Sequence, residues 1–174
     1  MWHGKDDKKL AAGERAIVAL CFLGASFMGY LTYIHFKTSP GTFCDFGAGF
    51  SCDLVNKSIY AEAMGVPLSL MGLAYFIGVA ALMLKRAVPD RLRIVQIFTV
   101  FSLIFSLHLT YIEIFVLGSV CVFCEASKAV MLAILALSTR SLVADRRPLR
   151  LEWLVAAVAA GMFFTAAARF VQTA

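Results

Sequence analysis

Four cysteines stand in two close pairs, Cys44 with Cys52 and Cys121 with Cys124. Thiols at such spacings can bridge a loop, ligate a metal or exchange disulfides. The second pair, Cys121-Val122-Phe123-Cys124, opens an apolar run. Residues i and i+3 share a helical face, so both sulfurs can meet in a first helical turn, where the helix N-terminus favours the reactive thiolate. A purely structural bridge is the duller alternative, but spacing this short closes almost no loop entropy. Zinc would need further ligands. His3 falls at the opposite end of the chain's topology, and His35 and His108 lie inside apolar stretches with no clustered partner, so no metal is expected.

Cys44 and Cys52 flank Asp45-Phe46-Gly47-Ala48-Gly49-Phe50-Ser51. The two glycines make the segment bendable, and Phe46 and Phe50 give it something to lay on a membrane surface or on a helix bundle. Alone, this pair reads as a structural loop disulfide. Beside a second pair on the same face it supplies the mobile member that relayed thiol–disulfide exchange requires, since each step is an in-line attack of a thiolate on a disulfide sulfur. The fifth cysteine, Cys21, sits among Ala19, Leu20, Phe22 and Leu23 and reads as a small apolar packing residue.

The elements that must position these thiols are written in the composition. Of 174 residues 61% are hydrophobic and 16% charged, with the charges clustered between long uncharged stretches. A soluble domain of this size does not hide so much apolar surface. The net charge of +5 comes from basic residues without aromatic interleaving, which argues against nucleic acid and for topology signals flanking spans in membrane lipid. Five stretches approach the roughly 20 apolar residues that a bilayer core requires: 16–36, 66–84, 94–117, 120–139 and the alanine-rich 153–171. The first is too long for a signal-peptide core and reads as a retained anchor. No linker or repeat divides the chain, so residues 1–174 are expected to form a single integral-membrane domain.

Lys5, Lys8, Lys9 and Arg15 precede the first span, Lys85, Arg86, Arg91 and Arg93 separate the second and third, and Arg140, Arg146, Arg147 and Arg150 separate the fourth and fifth. This bias predicts a cytoplasmic N-terminus. Loop 37–65 and the Gly118–Ser119 turn then face outward, which brings all four paired cysteines to the extracytoplasmic side, where disulfides persist. Within the loop, Asp53 to Met64 has near-helical spacing and can be capped by Ser51 or Asp53, predicting a short surface helix that roofs the pocket above Cys121 and Cys124. Glu125 and Lys128 follow Cys124 by one residue and one turn. Intramembrane charge is costly, and their i,i+3 spacing lets them pair or tune the Cys124 thiolate. Glu113 can bond a loop amide, His108 reads as an interior histidine, and Tyr30, Tyr33, Tyr75 and Tyr111 are all candidates to touch a bound ring.

Together, Cys44-Asp45-Phe46-Gly47 through Ser51-Cys52, Ser58, Gly65-Val66-Pro67-Leu68-Ser69 with Gly72, Tyr111-Ile112-Glu113 and Cys121-x-x-Cys124 resemble the vitamin K epoxide reductase family, most closely its bacterial branch. The resemblance covers the first four spans and the outer loop. It implies an all-α membrane protein: a four-helix bundle holding a quinone near its outer end, here with a fifth helix and a capping loop. By similarity Cys124 faces the quinone, Cys121 is its resolving partner, Cys52 exchanges with Cys121, Cys44 is attacked by a reduced thioredoxin-like protein, and Ser58 lies near the active pair. Cys124 would act as a nucleophile whose bond to the acceptor a neighbouring thiol resolves.

The implied activity is a thiol:quinone oxidoreductase of the bacterial inner (plasma) membrane. It would reoxidise that partner and pass electrons to a menaquinone- or ubiquinone-type acceptor, in support of disulfide formation. Two positions depart from the animal enzymes, which have asparagine where Leu68 falls and tyrosine where Lys128 falls, both quinone contacts. Reduction of vitamin K epoxide is therefore the less favoured enzymatic reading. Many bacterial members carry a thioredoxin-like domain after the fifth span. With this chain ending at Ala174, the partner is expected to be a separate protein or a domain that has been removed. The rival readings are the other four-helix disulfide oxidase family, whose Cys-x-x-Cys falls between its first two spans, and a non-enzymatic scaffold with structural disulfides.

Overall fold

A computed structural model describes residues 3–38, 43–45, 47, 49–63, 65–85, 88, 90–144 and 151–173. Phe46, Met64, Arg86, Arg146, Arg147 and Arg150 lie outside the described residues. The chain is helical apart from its cap: α1 (His3–Phe36), α2 (Cys52–Asn56), α3 (Leu68–Leu84), α4 (Arg91–Ile112), α5 (Val122–Ala144) and α6 (Leu151–Thr173). Among the described residues, segments Ala12–Phe36, Arg91–Leu117 and Val122–Ala144 are long and apolar enough to cross a membrane. α3, with 17 residues, is shorter. At about 1.5 Å per residue it reaches roughly 25 Å, a little less than a bilayer core.

α1 packs against α3 and α5, and α4 against α5 and α6, with α3 closing on α4. Small residues allow the close approaches: a Cβ at Gly24 would run into the ring of Phe76, and one at Gly72 into Met28. The interior is filled by Ile17, Leu31, Phe76, Val95 and Ile134, all fully buried, while Phe22, Ile77, Phe98, Leu107, Leu132 and Phe163 point outward and exposed. Polar groups turn inward and pair. Tyr75 bonds Thr99 at 2.7 Å, and Gln96 donates to Thr139 at 3.0 Å. Apolar outside with paired polar groups inside is the arrangement that lipid, rather than water, rewards.

Several boundaries differ from the sequence expectation; α4 begins at Arg91 instead of 94, and α5 runs from Val122 to Ala144 instead of 120–139. α1 begins at His3, well before Ala16. The second span starts at Leu68 instead of Val66, because Val66–Pro67 pairs antiparallel with Glu62–Ala63 around Gly65, whose φ is 78°. Pro67 then sits at the helix N-cap, where its missing N–H has no helical partner to lose. The surface helix expected over 53–64 is much shorter: α2 stops at Asn56, and a 3-10 turn, Ile59–Ala61, follows Ser58. Ser51 rather than Asp53 caps α2, its Oγ accepting the Leu54 N–H at 3.1 Å. The third span leaves α geometry at Glu113, and Glu113–Leu117 is a π-helical turn that ends at Gly118 with φ 62°.

The cap is tied to α1 by His35, whose Nδ1 lies 2.7 Å from the Asn56 carbonyl and Nε2 3.2 Å from Glu62. His35 thus has partners that its sequence surroundings did not reveal. At the opposite end of the bundle Arg91 pairs with Glu14 at 2.5 Å. The basic starts of α1 and α4 therefore share one end, and the paired cysteines the other.

Candidate active site

The π turn decides where the helix-borne pair sits. The Ser119 N–H returns to the Glu113 carbonyl at 3.0 Å, and the Val120 N–H donates to the Gly49 carbonyl at 2.9 Å, joining this turn to the cysteine loop. Cys121 therefore precedes α5 instead of lying in its first turn. It acts as the cap: its carbonyl accepts the Glu125 N–H at 3.0 Å, and its Sγ accepts the Cys124 N–H at 3.3 Å. An orphan helix amide aimed at sulfur stabilises charge on that sulfur. The Cys121 N–H in turn donates to Glu113 Oε2 at 2.9 Å, the loop-amide bond expected for Glu113.

Cys44 and Cys52 are joined as a disulfide with Cα atoms 5.5 Å apart. Cys121 Sγ lies 3.2 Å from Cys52 Sγ, and Cys121 and Cys124 are free thiols. Cys44, Cys52 and Cys121 are sealed from solvent, at 1%, 0% and 0% exposure. The bendable loop pair expected from Gly47 and Gly49 is closed over the site here, its glycines at φ 102° and 93°. The three sulfurs lie within 4.8 Å of one another. With two of them bonded together, only one thiol is left to offer, which does not match the four thiolate or imidazole donors of a structural zinc site. Cys21 is buried in α1, as packing requires.

Below the cysteines lies a cavity of about 300 Å³ between α1, α3, α4 and α5, roofed by α2. Cys124 opens onto it, whereas Cys121 does not line it. Ser58 lines it too, its hydroxyl donating to the Val55 carbonyl at 2.8 Å. Leu68 and Lys128 both line it, so the two positions that depart from the animal pattern face one space. Of the four candidate tyrosines only Tyr75 lines the cavity, joined by Tyr60, which the sequence reading missed. Tyr30 packs edge-on against Phe123, and the half-exposed Tyr111 stacks on His108.

Lys128 is buried at 7% exposure. Its Nζ lies 2.5 Å from Glu125 and 3.7 Å from Glu113, and it also donates to Thr110. The i,i+3 pairing with Glu125 is as expected. The second carboxylate, Glu113 of the π turn that follows α4, was not legible, because a contact between separate elements leaves no mark in local spacing. One cation is thereby shared between two acids, and one of those acids holds the Cys121 amide.

An all-helical bundle with an apolar exterior, an apolar cavity and a disulfide abutting a free thiol defines a membrane redox protein. The model of the vitamin K epoxide reductase family matches residues 15–139, and the chain belongs to that family. The match runs from α1 into α5 and includes all four paired cysteines. Membership makes it a membrane redox enzyme.

Proposed function

We propose that this protein is a thiol:quinone oxidoreductase that reoxidises a thioredoxin-like partner at the extracytoplasmic face of a bacterial inner membrane. The observation that carries the reading is the sequence of contacts: a Cys44–Cys52 disulfide, the Cys121 thiol 3.2 Å from Cys52, and Cys124 opening onto an apolar cavity. Volume and lining suit a quinone ring, which has an apolar body and two carbonyl oxygens. A bound quinone would supply a two-electron, two-proton acceptor.

The chain's own steps balance without any other oxidant. The partner's dithiol reduces the Cys44–Cys52 bridge, leaving two thiols and an oxidised partner. Cys52 then attacks Cys121 of a Cys121–Cys124 disulfide and releases the Cys124 thiolate; Cys44 attacks Cys52, restoring the loop bridge and freeing Cys121. The arrangement with a closed loop bridge and free Cys121 and Cys124 corresponds to the state that follows, with two electrons held on the helix pair. Loss of that pair to the acceptor closes the Cys121–Cys124 disulfide and completes the cycle. Because Cys44 is buried, partner exchange requires the loop to lift from Val120. Leu68 removes one animal-type contact and Lys128 substitutes a cation for another, which favours a quinone over vitamin K epoxide as the substrate.

Quinone reduction by the purified chain with a reduced thioredoxin-like donor tests this. Turnover is expected in the wild type and lost in Cys124→Ala. Retained turnover in that variant would overturn the assignment of Cys124.

A further inference from the structure

Hydroxyl groups inside membrane helices ordinarily satisfy themselves on the carbonyl one turn back. Thr32, Thr99 and Ser127 do so here, donating to Met28, Val95 and Phe123 at 2.8, 2.7 and 2.8 Å. Ser69 does not. It is the second residue of α3, so the residue four back is Gly65, in the hairpin turn outside the helix. Its Oγ is buried, with the residue 5% exposed, and has no hydrogen-bond partner. Among the described residues Ser119 also has a buried hydroxyl without a partner, and it does not line the cavity, while the half-buried Asp53 Oδ1 is met by Lys57 Nζ at 2.7 Å. Ser69 does line it.

A buried hydroxyl without a partner in an apolar wall is unfavourable unless something in the cavity meets it. The adjoining Leu68 presents only hydrocarbon. The free donor on this wall is therefore one position further along the chain, at the start of α3, while Cys124 and Lys128 belong to α5.

We infer that the Ser69 hydroxyl is the hydrogen-bond donor that binds a carbonyl oxygen of the quinone, fixing the ring in the cavity onto which Cys124 opens. Ser69 is thus a quinone-binding residue. It takes no part in the thiol exchanges, which occur among sulfurs that do not touch it. The inference rests on the thiol:quinone reading given above.

The test is steady-state turnover of the purified full chain with dithiothreitol as donor and a short-tailed ubiquinone as acceptor. Ser69→Ala is expected to raise the quinone KM roughly three- to tenfold, the range that one lost hydrogen bond gives. Reduction of the Cys44–Cys52 bridge by dithiothreitol should be unchanged, and Ser69→Thr should restore most of the affinity. The carbonyl stretching band of bound quinone should move to higher frequency in Ser69→Ala, which a merely structural role would not produce. A wild-type KM and an unmoved band in Ser69→Ala would overturn the inference. Should that variant not fold, Ser69→Cys decides: it keeps the volume and weakens the donor, so a raised KM supports the inference and an unchanged one overturns it. A wild-type chain that reduces no quinone would instead overturn the parent reading.

Discussion

At the head of α5, Cys121 is held through its own N–H by Glu113, through its carbonyl by Glu125 and through its sulfur by the Cys124 amide. The loop bridge Cys44–Cys52 stands against it on a different footing. Its segment turns on two glycines at positive φ, and the Gly49 carbonyl takes the N–H of Val120 across from the facing turn. Cys44, Cys52 and Cys121 are buried and Cys124 opens onto the cavity, yet the helix pair is anchored by charge-assisted and helix-terminal bonds and the loop pair is latched. The difference teaches that in a relay one pair must keep its geometry through every exchange, while the other must be able to leave.

Variants should separate the two regions by size of effect. The largest is expected for Cys44→Ser, which removes the loop bridge: turnover with a reduced protein donor should fall about a thousandfold or more, as for loss of a covalent nucleophile. Initial-rate assays check this, and near-normal turnover would mean that donors reach the helix pair directly. Glu113→Gln comes next. It weakens a charge-assisted bond to Cys121 and leaves Lys128 with Glu125 as its one charged neighbour on α5, so exchange between Cys52 and Cys121 should slow by about 10- to 100-fold in stopped-flow measurements. An unchanged rate would show that the anchor contributes stability alone.

On the latched side, Gly49→Ala forces a side chain into a backbone conformation disfavoured by about 1–2 kcal/mol. Dithiothreitol should then reduce the loop bridge roughly 5- to 30-fold faster, because the open form is that much more populated. A slower or equal rate would count against a latch. The smallest effect is expected far from both pairs. Gln96→Leu breaks a bond to Thr139 worth about 1 kcal/mol, so it should lower thermal stability in detergent slightly and leave both exchange rates alone.

Much of the bundle was legible because lipid imposes length and hydropathy on each span, and because basic residues cluster at one set of helix ends. The Cys121–Cys124 spacing, the Glu125–Lys128 pair and the Ser51 cap were legible for a similar reason, being local in sequence. What stayed hidden is tertiary. The π turn that aims Glu113 at Cys121 has no compositional signature, and its residues, Glu-Ile-Phe-Val-Leu, fit an ordinary helix end equally well. The hairpin before α3 was absorbed into an apolar run because Val66 is hydrophobic, although Pro67 was a usable sign of a helix start. The burial of Cys44, the partners of His35 and the unpartnered hydroxyl of Ser69 depend on which neighbours arrive from elsewhere in the chain.

The central claim is that the relay crosses from loop to helix between Cys52 and Cys121. Disulfide mapping by mass spectrometry of Cys44→Ser/Cys124→Ser, in which those two thiols and the distant Cys21 remain, measures it most directly. Mild oxidation is predicted to yield an intramolecular Cys52–Cys121 bridge in a folded protein. Thiols at 52 and 121 that stay free, or that link only between molecules, would contradict the account.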